Sequence, residues 1–174
     1  MNSGDRFFAS DTLELLSNFI SPDRQLIYGK VEVRRNNGLK YIKNYRNLSR
    51  LQLKYGMPFC HQSLLVRSDL MKQHKYEATK YIAADYNFIV DCYVKGCDFY
   101  AIPLVIASIS AHGISDNCRA AVLSDWCEIA QKIAPGISTK LYYKVIILRE
   151  RMKGMIKQIL PASLLDIIYR RLCS

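Results

Sequence analysis

The chain has 174 residues, 50% of them hydrophobic and 23% charged, and 25 Lys+Arg against 15 Asp+Glu give it a net charge of +10. That much apolar surface supports the core of about one domain and excludes an intrinsically disordered chain. The 8 Gly and 5 Pro follow no period, which excludes collagen-like or other low-complexity architecture.

Asp11 and Glu14 have the spacing of a capping box, and Leu13, Leu16, Phe19 and Ile20 share a face, which predicts a short helix from about Thr12 to Phe19. The stretch Gln25 to Arg34 is rich in strand formers, with Gly29 marking a bulge and Asn36-Asn37-Gly38 the following turn. Ser63 to Arg67 reads as a second short strand. Tyr86, Ile89, Val90 and Tyr93 recur at helical spacing and predict a helix over Ala84 to Val94 that stops at Lys95-Gly96. Two strands follow, Phe99 to Ile102 and Val105 to Ser110. The longest uncharged window, Phe99 to Ser115, holds Pro103, His112 and Gly113 and reads as buried strand and turn, not as a membrane span. Beyond Gly113 the pattern is helical: about Ser115 to Lys132, a break at Pro135-Gly136, Thr139 to Leu160, a break at Pro161, and Ser163 to Leu172. Mixed strand and helix followed by helices alone predicts an α/β body, residues 1–134, with a helical appendage, residues 135–174.

Six irregularly spaced cysteines, Cys60, Cys92, Cys97, Cys118, Cys127 and Cys173, read as reduced thiols in a chain of this size. Together with an N-terminus that lacks a basic stretch leading into an apolar run, they point to the cytoplasm. The charge is uneven. From Lys140 onward eight basic residues face two acidic ones, a net of +6, which leaves +4 for everything before it. Leu141, Val145, Leu148, Met152, Met155 and Ile159 advance by steps of four and three, and basic residues flank this stripe on both sides. Such a helix either lies on an anionic lipid surface or packs its stripe against the body or a partner helix. The twelve tyrosines fall largely on apolar faces, so nucleic acid is not an expected partner.

Four polar clusters interrupt the apolar runs where loops are expected. Asp5, in Asn2-Ser3-Gly4-Asp5, is either a hard-metal ligand or part of a solvated turn. His61 and Gln62 suit a sugar or diphosphate; a buried histidine satisfied by a backbone carbonyl is the alternative for His61. Asp85 is either a general base or the cap of the helix it opens. His112 before Gly113 donates to a phosphate, joins a metal, or only holds a turn. Cys92 and Cys97 lack a second tight Cys/His pair that would complete a zinc set, and read as small core residues.

Taken in order, Asn2-Ser3-Gly4-Asp5-Arg6-Phe7-Phe8, Ile27-Tyr28-Gly29, Met57-Pro58-Phe59-Cys60-His61-Gln62-Ser63, Ile82-Ala83-Ala84-Asp85-Tyr86-Asn87-Phe88 and Ala111-His112-Gly113-Ile114-Ser115 resemble the C-terminal half of family 2 glycosyltransferases. These are inverting enzymes of the GT-A fold, and the resemblance is to those of bacterial capsule, exopolysaccharide and lipopolysaccharide assembly. It covers about Met1 to Asp116. The His-Gln before a strand and the Ala-Ala-Asp-Tyr opening a helix are its most specific parts.

The resemblance implies a nucleotide-sugar donor, a glycan or lipid-linked acceptor, and work in the cytoplasm at the inner face of the membrane. It makes Asp85 the base that deprotonates the acceptor, places His61, Gln62 and His112 against substrate, and makes Asp5 the ligand of a divalent metal, Mg²⁺ or Mn²⁺. Asn2 and Gly4 stand where that family commonly has aspartates, so Asp5 is the loop's single carboxylate. The resemblance also implies that the nucleotide-binding half, with the central parallel strands, is not in this chain. A non-catalytic membrane-surface or scaffold protein derived from such an enzyme is the alternative function.

Overall fold

A computed structural model describes residues 4–35, 37–73, 83–111 and 119–159. Five strands and six helices are described: β1 (Arg6–Phe7), α1 (Thr12–Ser17), β2 (Leu26–Arg34), β3 (Lys40–Lys43), α2 (Arg50–Lys54), a single 3-10 turn (His61–Ser63), β4 (Leu64–Val66), α3 (Ser68–Gln73), α4 (Ala84–Val94), β5 (Phe99–Ser110), α5 (Arg119–Ile133) and α6 (Ile137–Ile159). The protein is therefore mixed α/β. The helix predicted over Ser163 to Leu172 lies outside the described residues.

The strands form one mixed sheet in the order β1-β5-β2-β3, with β4 also paired to β2. Its centre is a parallel pair, β2 beside β5, while β1, β3 and β4 join antiparallel. This chain thus carries one parallel pair among its described strands. β2 is covered on both faces, as a central strand must be. Leu26 and Tyr28 enter the larger core with Leu53, Phe59, Tyr86 and Ile89, whereas Ile27 packs on the opposite side with Leu16 of α1 and Ile102 and Ile106 of β5. The alternation is the period of two expected of a strand.

The two strands predicted over Phe99 to Ile102 and Val105 to Ser110 form one strand, β5, with an irregularity between them. Tyr28 pairs with Ala101 and Lys30 with Val105, so the extra residues bulge from β5 and not from the strand carrying Gly29. Proline has no N–H to give the ladder, and Pro103 occupies this gap. Gly29 is needed opposite it, because a Cβ there would stand 2.6 Å from the Leu104 carbonyl oxygen.

Asp11 precedes α1 without capping it through its side chain; the Thr12 hydroxyl instead accepts from the Ala9 N–H at 2.9 Å. The exposed edge strand β3 and the helices α2 and α3 have no clear periodicity in sequence. α2 is anchored by its surroundings: Ser49 caps its N-terminus, and its C-terminal carbonyls at Leu53 and Lys54 accept from the hydroxyls of Tyr86 on α4 and Tyr143 on α6. Trp126 of α5 lies over Gly56, whose φ of +121° and lack of a Cβ permit the approach.

Candidate functional site

The site begins at the irregular register of β2 and β5. There the buried Ser63 hydroxyl donates to the Gly29 carbonyl at 2.8 Å, and it also lies 2.8 Å from the Cys60 carbonyl. These contacts fix the 3-10 turn that carries His61 and Gln62. Gln62 folds back, its side-chain oxygen accepting from the Cys60 thiol at 2.8 Å. His61 points the other way, toward the first turn of α4.

There it meets Asp85. The His61 Nδ1 and Asp85 Oδ2 are 2.7 Å apart, and both side chains are only partly covered. Since a carboxylate oxygen accepts, Nδ1 carries the proton. The other carboxylate oxygen, Oδ1, accepts from the Tyr86 N–H at 2.7 Å. The capping position of α4 is Ala83, not Asp85, although the Asp85 carboxylate takes up one first-turn N–H of the helix. Nor is His61 a core histidine satisfied by a carbonyl. Tyr86 turns inward where Asp85 turns outward, and its buried ring anchors the turn that presents the carboxylate.

The pair sits at a cavity of about 440 Å³, lined among the described residues by His61, Leu64, Val66, Ser68, Met71, Lys72, Asp85 and Ile89. Ile89 follows Asp85 by one helical turn and shares its face. An apolar floor with a few polar groups at the rim suits a sugar ring, which presents C–H faces and hydroxyl edges. Ser68 and Lys72, both on α3, are additions that sequence reading missed, because α3 has no periodicity of its own to draw attention to them.

Cys60 connects this pair to the N-terminal loop. Burial pushes its thiol upward, Lys43 and the Gln62 backbone pull it down, and the negative charges of Asp5 and Asp85 push it up again. The charges of both carboxylates singled out in sequence, 80 residues apart, therefore reach one half-buried thiol. The Asp5 loop is secured from β2: Arg34 Nη2 donates to the Gly4 carbonyl at 2.6 Å, and the buried Arg34 Nε has no hydrogen-bond partner among the described residues. Arg34, which closes β2, and Lys43, which stands beside Val31 at the opposite end of β3, are two cations that sequence reading did not single out. Their signal was available only as charge closing β2 and β3.

His61 and Asp85 are thus in direct contact and Gln62 is bonded to Cys60, whereas Asp5 reaches this group only through its charge on the Cys60 thiol and His112 lies outside the described residues. Among the described residues no three His, Cys, Asp or Glu side chains converge as a metal site. One carboxylate fits a hard cation held chiefly by substrate phosphates and water, as Mg²⁺ often is. Cys92 is buried in the core and Cys97 is half-buried, its N–H donating to the Cys92 carbonyl at 2.9 Å. The sequence matches no protein-family model and no curated protein sequence.

Proposed function

We propose that the chain provides the acceptor side of an inverting, GT-A-type nucleotide-sugar transferase, with Asp85 as the general base. The observation that carries this reading is the His61–Asp85 pair, 2.7 Å apart at the mouth of a sugar-sized cavity. Asp85 accepts the proton of an acceptor hydroxyl as its oxygen attacks the anomeric carbon from the face opposite the leaving group. The new C–O bond forms as the bond to the nucleoside diphosphate breaks, and the configuration inverts. His61 holds the carboxylate in place through its Nδ1–H and so limits the motion lost at the transition state. Gln62 buttresses the turn through Cys60.

The departing diphosphate carries charge that must be met. Arg34 supplies positive charge beside the Asp5 loop, Lys43 supplies it toward Cys60, and Asp5 would hold a divalent cation when donor is bound, adding charge neutralisation there. The acceptor is a glycan or a lipid-linked glycan, entering over Leu64, Val66 and Met71.

Calorimetric titration with nucleoside diphosphates and nucleotide sugars, with and without Mn²⁺, tests donor binding by the chain joined to a nucleotide-binding half; release of diphosphate in the presence of glycans tests turnover. In that complete enzyme Asp85→Asn lowers turnover by about 100-fold or more, the scale of general base catalysis, and leaves donor binding unchanged. A variant that keeps its turnover there overturns the reading. The second reading, a non-catalytic membrane-surface protein derived from such an enzyme, is favoured by the outer face of α6. It predicts lipid binding without nucleotide-sugar binding.

A further inference from the structure

α6 is apolar on two opposite faces, and the fold uses only one. Toward the body it buries Thr139 and Tyr143 and packs Tyr142, Ile146 and Ile147 on α5 with Leu123, Trp126, Cys127 and Ala130. Away from the body Ile137, Leu141, Val145, Leu148, Met152 and Met155 are all exposed, from 49% at Met152 to 83% at Ile137. At about 100° per residue these six fall within about 80° of arc, directly opposite Tyr143. The stripe is about 27 Å long at 1.5 Å per residue.

Its margins are cationic. Lys140, Lys144 and Arg151 run along one side of the stripe and Arg149 and Lys153 along the other, all five exposed. The single acid of the helix, Glu150, lies on the body side, where Lys153 donates to it at 2.9 Å and Arg149 stands 3.7 Å away. The outer face therefore presents apolar side chains and cations and no anion. A second copy meeting it stripe to stripe would bring Lys140, Lys144 and Arg151 against like charge, Arg149 and Lys153 being drawn toward Glu150. Anionic headgroups complement both features at once: the apolar side chains enter the acyl boundary while Lys and Arg extend to the phosphates. Among the described residues no helix is long and apolar enough to cross a membrane, so α6 lies along the surface.

We propose that the outer face of α6, from Ile137 to Met155, docks the protein flat on an anionic phospholipid bilayer, with Tyr143 and its neighbours holding the body on the other side of the helix. The proposal stands on α6 alone and is independent of the catalytic reading.

Flotation of the full chain with vesicles tests it. The protein floats with phosphatidylglycerol-containing vesicles, less with pure phosphatidylcholine, and is released by salt. Leu148→Glu/Met152→Glu abolishes flotation while melting as the parent does, since neither side chain is buried. Lys144→Gln/Arg151→Gln weakens binding to the anionic vesicles by roughly 30-fold, at about one juxtamembrane charge's worth for each residue. Equal flotation of parent and Leu148→Glu/Met152→Glu overturns the proposal. So does absence of flotation, and so does a vesicle-free dimer that the same double variant dissolves, which would make a second copy the occupant.

Discussion

Helices α4 and α6 are both rich in apolar residues, yet the fold treats them oppositely. In α4, Tyr86, Asn87, Phe88, Ile89, Val90 and Cys92 are buried, so neighbours surround the helix on most sides and only Asp85 and Ile89 line the cavity. In α6 the body covers one side and leaves an equally apolar side in water. Burial on most sides makes α4 a fixed mount, and its one outward carboxylate at the first turn, Asp85, inherits that rigidity. Burial of one face makes α6 a support whose other face is open to a surface. The two helices meet through α2, where the Tyr86 and Tyr143 hydroxyls occupy adjacent carbonyls, Leu53 and Lys54.

The largest expected effect is on the α4 side. Tyr86→Ala removes a fully buried ring and the hydroxyl that caps α2, and should cost about 3–5 kcal/mol, the range for deleting large aromatic side chains from a core. Denaturant unfolding at neutral pH measures it, and a cost under about 1 kcal/mol would remove the contrast between the helices.

A middle-sized effect lies at the junction and depends on pH. Burial pushes the Tyr86 hydroxyl up to about 12, and burial also raises Tyr143, whose hydroxyl neighbours it. The folded state therefore favours the neutral phenols. An unfolded tyrosine ionises near pH 10, so this stabilisation is complete below about pH 10 and is lost as pH rises through about 12. Tyr143→Phe should cost about 1 kcal/mol at neutral pH through the lost bond to Lys54, 3.0 Å long, and should make the alkaline loss of stability shallower. Denaturant midpoints at neutral pH and between pH 10 and 12 give both numbers. Equal alkaline slopes for parent and variant would separate Tyr143 from the junction.

The smallest effect belongs to the outer face of α6. Leu148→Ala, at a side chain 58% exposed, should change stability by no more than about 0.5 kcal/mol, as surface substitutions usually do. A larger cost in the same unfolding measurement would mean that this face is packed in solution.

Much of the site was legible as local pattern. The apolar spacing of Tyr86, Ile89, Val90 and Tyr93 predicted α4 over Ala84 to Val94, the range the structure shows. Asp5, His61, Gln62 and Asp85 stood out because polar clusters broke apolar runs. The meeting of His61 with Asp85 was not legible, since it depends on the register irregularity of β2 and β5 and on Ser63 pinning the His61 turn to Gly29. Strand β3 and helices α2 and α3 were missed for a related reason. They are four to six residues long, and contacts distant in sequence, such as the tyrosine hydroxyls on α2, decide their conformation.

By itself the sequence determined where apolar periodicity is long enough to specify an element: β2, α4, α5 and α6, and hence an α/β chain with helices toward its end. It also determined that α6 carries an apolar stripe between basic margins. Only the tertiary structure decided which side of α6 the body takes, because periodicity records that a face is apolar and not what covers it. The same holds for Asp85. A carboxylate opening a helix has one sequence signature whether it bonds only the helix backbone or also reaches across to a histidine, and Asp85 does both because the turn brings His61 to 2.7 Å while the Tyr86 N–H donates to its other oxygen.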